Sequence, residues 1–137
     1  MSHTVDIPQE LKDSIRKFRF ARHKGNAALV VKINKQKLIM EEVETFNNIT
    51  LEELADELPE ASPRYVVLSY NLEHKDGRTS SPLVIINWAP SCETSLLTLH
   101  ASAFLDFQST VDVGKCLEVR DGAEGLTKDI LDAKLLS

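Results

Sequence analysis

Ile7, Leu11, Ile15 and Phe18 recur at spacings of four, four and three, which puts them on one stripe of a helix facing a core. Asp6 followed three positions later by Gln9 resembles a capping box, and Pro8 is tolerated in a first helical turn, so the helix is expected to begin there. Gly25 with Asn26 is expected to end it, since Gly accepts the left-handed conformation that satisfies trailing carbonyls. Ala27 to Ile33 is rich in β-branched residues and is separated by Asn34-Lys35-Gln36-Lys37 from Leu38 to Phe46, which predicts a hairpin. Thr50 with Glu53 is a second capping box, and Leu51, Leu54 and Leu58 follow at helical spacing until Pro59. Arg64 to Leu72 reads as a strand, Lys75-Asp76-Gly77-Arg78 as a turn, and Pro82 to Ala89 as a strand whose Leu83-Val84-Ile85-Ile86 run suits burial on both faces. Leu96 to Phe107 lacks Gly and Pro and carries Leu96, Leu99, Ala103 and Phe107 at spacings of three and four, a helix of about four turns. Lys115 to Arg120 alternates like a strand. Leu126 to Leu136 places Leu126, Ile130, Leu131 and Leu135 on one face of a closing helix.

Five strands with helices before, between and after them exclude an all-β barrel and a helical bundle. The expected fold is α/β of the α+β type: one domain over 1–137, with a central mixed five-stranded sheet, room for a sixth short strand, and helices on both sides. Its 137 residues match one domain in size, and 42% hydrophobic with 27% charged residues is an ordinary globular composition. No apolar run reaches the roughly 18 to 20 residues of a membrane helix, and MSHTVDIPQE is not an apolar signal segment, so the expectation is a cytosolic chain without a membrane partner. A net charge of −5 argues against nucleic acid. The charge is unevenly placed. Met1 to Met40 holds nine Lys or Arg against three Asp or Glu, a balance of +6, and Glu41 to Ser137 holds seven against eighteen, a balance of −11. Such a split suits docking on a protein surface.

Chemistry-bearing patterns are missing. The glycines at 25, 77, 114, 122 and 125 form neither a dinucleotide nor a P-loop cradle, and no G-x-S-x-G elbow exists. Cys92 and Cys116 lie 24 apart without zinc spacing, and read as two buried reduced thiols. His3, His23, His74 and His100 are scattered singly, so no metal or other cofactor is expected. Glu41, Glu42 and Glu44 read as a solvated strand face, and Glu52 with Asp56, or Asp129 with Asp132, as helix-surface carboxylates rather than acid–base pairs. A small enzyme is the weakest of the available readings. Two features exceed what a solitary domain needs: the cluster Arg16, Lys17, Arg19, Phe20, Arg22, His23, Lys24, and a long helix whose Leu97, Ala101, Phe104 and Leu105 extend its apolar surface past the core stripe.

Arg16-Lys17-Phe18-Arg19-Phe20, Asn26-Ala27-Ala28, Glu57-Leu58-Pro59-Glu60 with Pro63-Arg64-Tyr65-Val66-Val67, and Asp76-Gly77-Arg78 followed by Ser81-Pro82-Leu83 resemble the actin-depolymerising-factor homology family, in particular its glia maturation factor branch. The likeness covers essentially the whole chain. It implies a non-enzymatic regulator of branched actin networks that binds the actin-related protein 2/3 complex, inhibits nucleation and dismantles branches, acting as a monomer with at most weak contact to actin itself. The alternative within the family is a cofilin-like protein that binds actin monomers or filaments directly. Carried over by residue, the resemblance implies a docking surface of Ser2, His3, Arg16, Lys17, Arg19 and Arg22 with Leu96, Leu97, His100, Ala101 and Phe104, and a second surface with His74, Asp76 and Arg78. Residues 1–5 would be a flexible arm. Actin-binding relatives carry lysines midway along the long helix, where this sequence has Ser102-Ala103-Phe104-Leu105-Asp106. That departure weakens the implied case for direct actin binding.

Overall fold

The computed structural model describes residues 5–21, 25–59, 62–90, 94–120 and 122–136. Five strands form one sheet in the order β2-β1-β3-β6-β7, where β1 is Ala27–Asn34, β2 Ile39–Phe46, β3 Arg64–Ser69, β6 Leu83–Trp88 and β7 Cys116–Val119. Neighbours are antiparallel except β6 and β7, which run parallel because α3, Thr94–Val111, carries the chain back across the sheet between them. The sixth strand allowed for is a pair: β4, Leu72–Glu73, and β5, Thr79–Ser80, make a separate small hairpin.

Alternation along the strands sends side chains to two cores. Leu29, Val31, Tyr65, Val67 and Ile85 pack with Leu11, Ile15 and Phe18 of α1, Gln9–Phe20, and with Ala103, Phe107 and Val111 of α3. On the other face, Ala28, Val30, Val66, Val84 and Ile86 pack with Leu51, Leu54 and Ala55 of α2, Leu51–Glu57, and with Leu131 of α4, Lys128–Leu136. The expected burial of β6 on both sides follows directly. So does the charge split. The basic end of α1 lies on one side of the sheet, and the four carboxylates of α2, Glu52, Glu53, Asp56 and Glu57, lie on the other.

Several local expectations are corrected. Asp6 does not cap α1: its N–H donates to Leu38 O at 2.9 Å and its carbonyl accepts from Met40 N at 2.9 Å, a short parallel bridge to β2, and the N-cap is Pro8 with no side-chain bond. Val5, at the end of the expected arm, is buried in the α1 core, while residues 1–4 lie outside the described set. Helix α1 ends at Phe20, not at Gly25. Gly25 instead holds φ +67° beside Asn48, whose own φ is 53°. The Thr50–Glu53 capping box forms as expected, each partner's side chain accepting from the other's N–H. β3 stops at Ser69 rather than Leu72, because the N–H of Asn71 is taken by Asn26 Oδ1 at 2.8 Å and the chain turns into β4. Helix α3 continues past Phe107 to Val111, where Asp112 at φ 59° ends it. On α4, Leu131 is buried but Ile130 faces outward. One residue of β2, Val43, is extra in the ladder: Val30 pairs with Glu44 and Val31 with Glu42.

Candidate docking surface

Helices α1 and α3 pack on the same face of the sheet, and side chains of α1 share one depression with Thr110 of α3. The stripe of Leu11, Ile15 and Phe18 is buried, which turns Arg16 and Lys17 to solvent and leaves Arg19 half-buried. The Arg19 guanidinium stands 5.9 Å from the centre of the Phe20 ring, and that ring is 77% exposed. This cation–π contact holds an aromatic ring outward under a positive charge. Lys12, Arg16, Arg19 and Phe20 border a shallow 450 Å³ depression that reaches Thr110 at the far end of α3.

Helix α3 is unusual in composition. Over 18 residues its only charged side chain is Asp106. Its solvent side carries Thr94, Thr98, Ala101, Ser102, Leu105 and Ser109. An exposed helix normally presents charged residues, whose removal from water is costly; a Thr/Ser/Ala/Leu face loses little on being covered. Leu105, 71% exposed, is the apolar centre of that face. Leu96, Leu97 and Phe104 lie half-buried along its edge, and Ala101 is exposed.

His100 does not belong to that outer face. It is 2% exposed, which corrects its expected place among the docking side chains. Its ring stacks on Tyr65 at 4.0 Å, Tyr65 stacks in turn on Phe107 at 4.6 Å, and His100 Nε2 lies 2.6 Å from Asn87 Oδ1. The Tyr65 hydroxyl donates to the backbone carbonyl of His100. β3, β6 and α3 are thereby joined through one aromatic and polar column under the surface. Burial, with a smaller contribution from the Arg64 charge, pulls the His100 pKa down to about 4, so the imidazole is neutral near pH 7. Burial also raises the Tyr65 pKa, with the Asp106 charge adding to it. His100 ties the helix to the sheet from beneath the surface.

The second group of expected residues does come together. His74, Asp76 and Arg78 occupy the β4–β5 hairpin, where Gly77 takes φ +90° at the tip. Asp76 accepts from Arg78 Nε at 2.6 Å and from Arg78 N at 3.1 Å, and His74 Nε2 lies 2.9 Å from Ser80 Oγ. The exposed Asp76–Arg78 pair cancels its own charge and contributes little to stability. Ser2, His3 and Arg22 lie outside the described residues.

Among the described residues, no three His, Cys, Asp or Glu groups could hold a metal ion, and no helix is long and apolar enough to cross a membrane. Cys116 is a free thiol, half-buried rather than fully buried as expected, with Gln108 Nε2 3.2 Å from its sulfur; Cys92 lies outside the described set. Asp132, far from being a raised acid, has a lowered pKa because the Lys128 ammonium and the Tyr70 hydroxyl both donate to it.

Comparison with known proteins bears on the family and the fold. The profile of the family described as cofilin/tropomyosin-type actin-binding proteins matches residues 4–136. Glia maturation factor beta of Homo sapiens is 37% identical over 131 residues, spanning 95% of this chain and 92% of its own. The glia maturation factor of Drosophila melanogaster is 36% identical, spanning 95% and 94%. The solution structure of the Caenorhabditis elegans glia maturation factor superposes with a TM-score of 0.82 at 29% identity, covering 98% of each chain.

Proposed function

Because the chain belongs to the cofilin/tropomyosin-type actin-binding family, in its glia maturation factor branch, we propose that it binds the actin-related protein 2/3 complex, inhibits nucleation by it and promotes debranching of filaments. The observation that carries this reading is a pairing on one side of the sheet: the outward side of α3, whose one charge is the half-buried Asp106, and the basic end of α1 with Arg16, Lys17 and Arg19. The first can be covered at small desolvation cost and supplies the anchor, centred on Leu105. The second steers approach to an acidic partner, acting on association rate and salt dependence more than on anchor energy. No lysine on α3 offers the cationic contact expected for direct binding to actin.

The test is a branch-lifetime measurement on preformed networks together with a pull-down of the complex at low salt. Leu105→Glu, at an exposed position, is expected to abolish capture while leaving the melting temperature unchanged. Arg16→Ala with Arg19→Ala is expected to weaken capture and to flatten its salt dependence. Unchanged capture by both variants would refute the surface, and strong pelleting of the wild type with bare filaments would favour the cofilin-like alternative.

A further inference from the structure

We propose that the opposite side of the sheet holds a second docking site, a cleft that takes an extended segment of a partner protein bearing arginine or lysine side chains. The cleft has a volume of 720 Å³ and lies between α2, the bend from β3 to β4, and the start of α4. That volume is the share of about two dozen waters in the liquid, enough for a short peptide stretch. Its floor is apolar, made by Ile49, Leu51, Ala55, Tyr70 and Leu126, all buried. Its walls offer the side-chain amides of Asn48 and Asn71 for a peptide backbone; the Asn48 side chain makes no hydrogen bond among the described residues.

Charge selects the occupant. Glu52 and Asp56 line the cleft one helical turn apart on α2, and Glu73 lines it from β4. Neither Glu52 nor Asp56 is in an ion pair among the described residues. The one cation lining the described cleft, Lys128, donates to Asp132 Oδ2 at 2.7 Å, and the other oxygen of that carboxylate accepts from the Tyr70 hydroxyl at 2.7 Å. Lys128 is thus matched within the chain, with the Glu73 charge also acting on it, and Glu52 and Asp56 remain for a ligand. Two carboxylates one helical turn apart beside an apolar floor suit cationic side chains flanking an apolar one. They do not suit a bound metal ion, since no ligating cluster exists among the described residues. The sheet lies between this cleft and the α1–α3 surface. The cleft is therefore separate from that surface, and through Glu73 it adjoins the hairpin of His74, Asp76 and Arg78.

The test titrates the full-length, ¹⁵N-labelled chain with the peptide acetyl-Gly-Arg-Leu-Arg-Gly-amide and, separately, with its counterpart carrying glutamate in place of arginine. The arginine peptide is expected to shift the amides of Asn48, Leu51, Asn71 and Thr127 and to leave those of α1 and α3 in place. Glu52→Gln with Asp56→Asn should weaken binding by about fivefold to tenfold, the scale of two partly exposed ion pairs. Glu10→Gln with Asp13→Asn removes the same charge from exposed positions of α1, across the sheet from the cleft, and should change nothing. The proposal is overturned if shifts scatter over the acidic surface, if the control variant weakens binding equally, if the glutamate peptide gives the same shifts, or if millimolar arginine peptide gives none.

Discussion

Acid should loosen α3 through His100. With its pKa pulled down to about 4 in the folded chain and an ordinary value of 6.5 unfolded, the imidazole binds more protons unfolded than folded between those two values. Stability therefore rises with pH across that window and is lost as pH falls from about 6.5 toward 4. At pH 7 both states are largely neutral and little is lost. At pH 5 the unfolded state is favoured by about 2 kcal/mol from this one group. For a chain of this length that corresponds to about 7 °C in melting temperature. The assay is a thermal melt at pH 7 and pH 5, for the wild type and for His100→Gln. The variant loses the ring stack on Tyr65, at a cost of about 1 kcal/mol at either pH, but has no imidazole to protonate. Its melting temperature should fall by about 7 °C less than the wild type's between the two pH values. Equal falls would refute the claim that His100 is held neutral by burial. An NMR titration of the His100 ring with a midpoint above pH 6 would refute it independently.

Two backbone sites give further checks. Gly25→Ala would force a side chain at φ +67° and place its Cβ 2.6 Å from Asn48 Oδ1, so urea unfolding should show a loss of about 1 to 3 kcal/mol. Thr50→Ala removes the acceptor for Glu53 N–H and should cost about 1 kcal/mol by the same measurement, with α2 amides exchanging faster than those of β3.

How much of this was legible in the sequence depends on whether the cause was local. The α1 stripe, the Thr50–Glu53 box and the doubly buried β6 were readable because period and capping chemistry act within a few residues. Asp6 was misread for the opposite reason. Its spacing to Gln9 fits a cap, but its backbone groups are consumed by Leu38 and Met40 some 30 positions on, and nothing local announces that pairing. The end of β3 likewise depends on Asn26, distant in sequence. Among the site residues, Arg16 and Lys17 were placed correctly on the exposed side by the same periodicity that buried Ile15. His100 was not. One titratable residue in a helix gives no sign of a tyrosine from another strand stacked against it. The cleft beside α2 was invisible for a related reason, since its walls come from four separate stretches of chain.

The short bridge made by Asp6 bears on how copies of this chain coexist at high concentration. β2 is an outer strand, and a bare outer strand is a template on which another molecule can add its own. Here Asp6 already occupies the backbone groups of Leu38 and Met40, the extra residue Val43 breaks the ladder farther along, and Glu42 and Glu44 add like charge against a second copy. Asp6 thus covers part of the sheet edge. Cutting the chain after Ile7 would uncover it, at the further cost of the buried Val5 side chain, and the expected consequence is concentration-dependent aggregation through β2, read by light scattering.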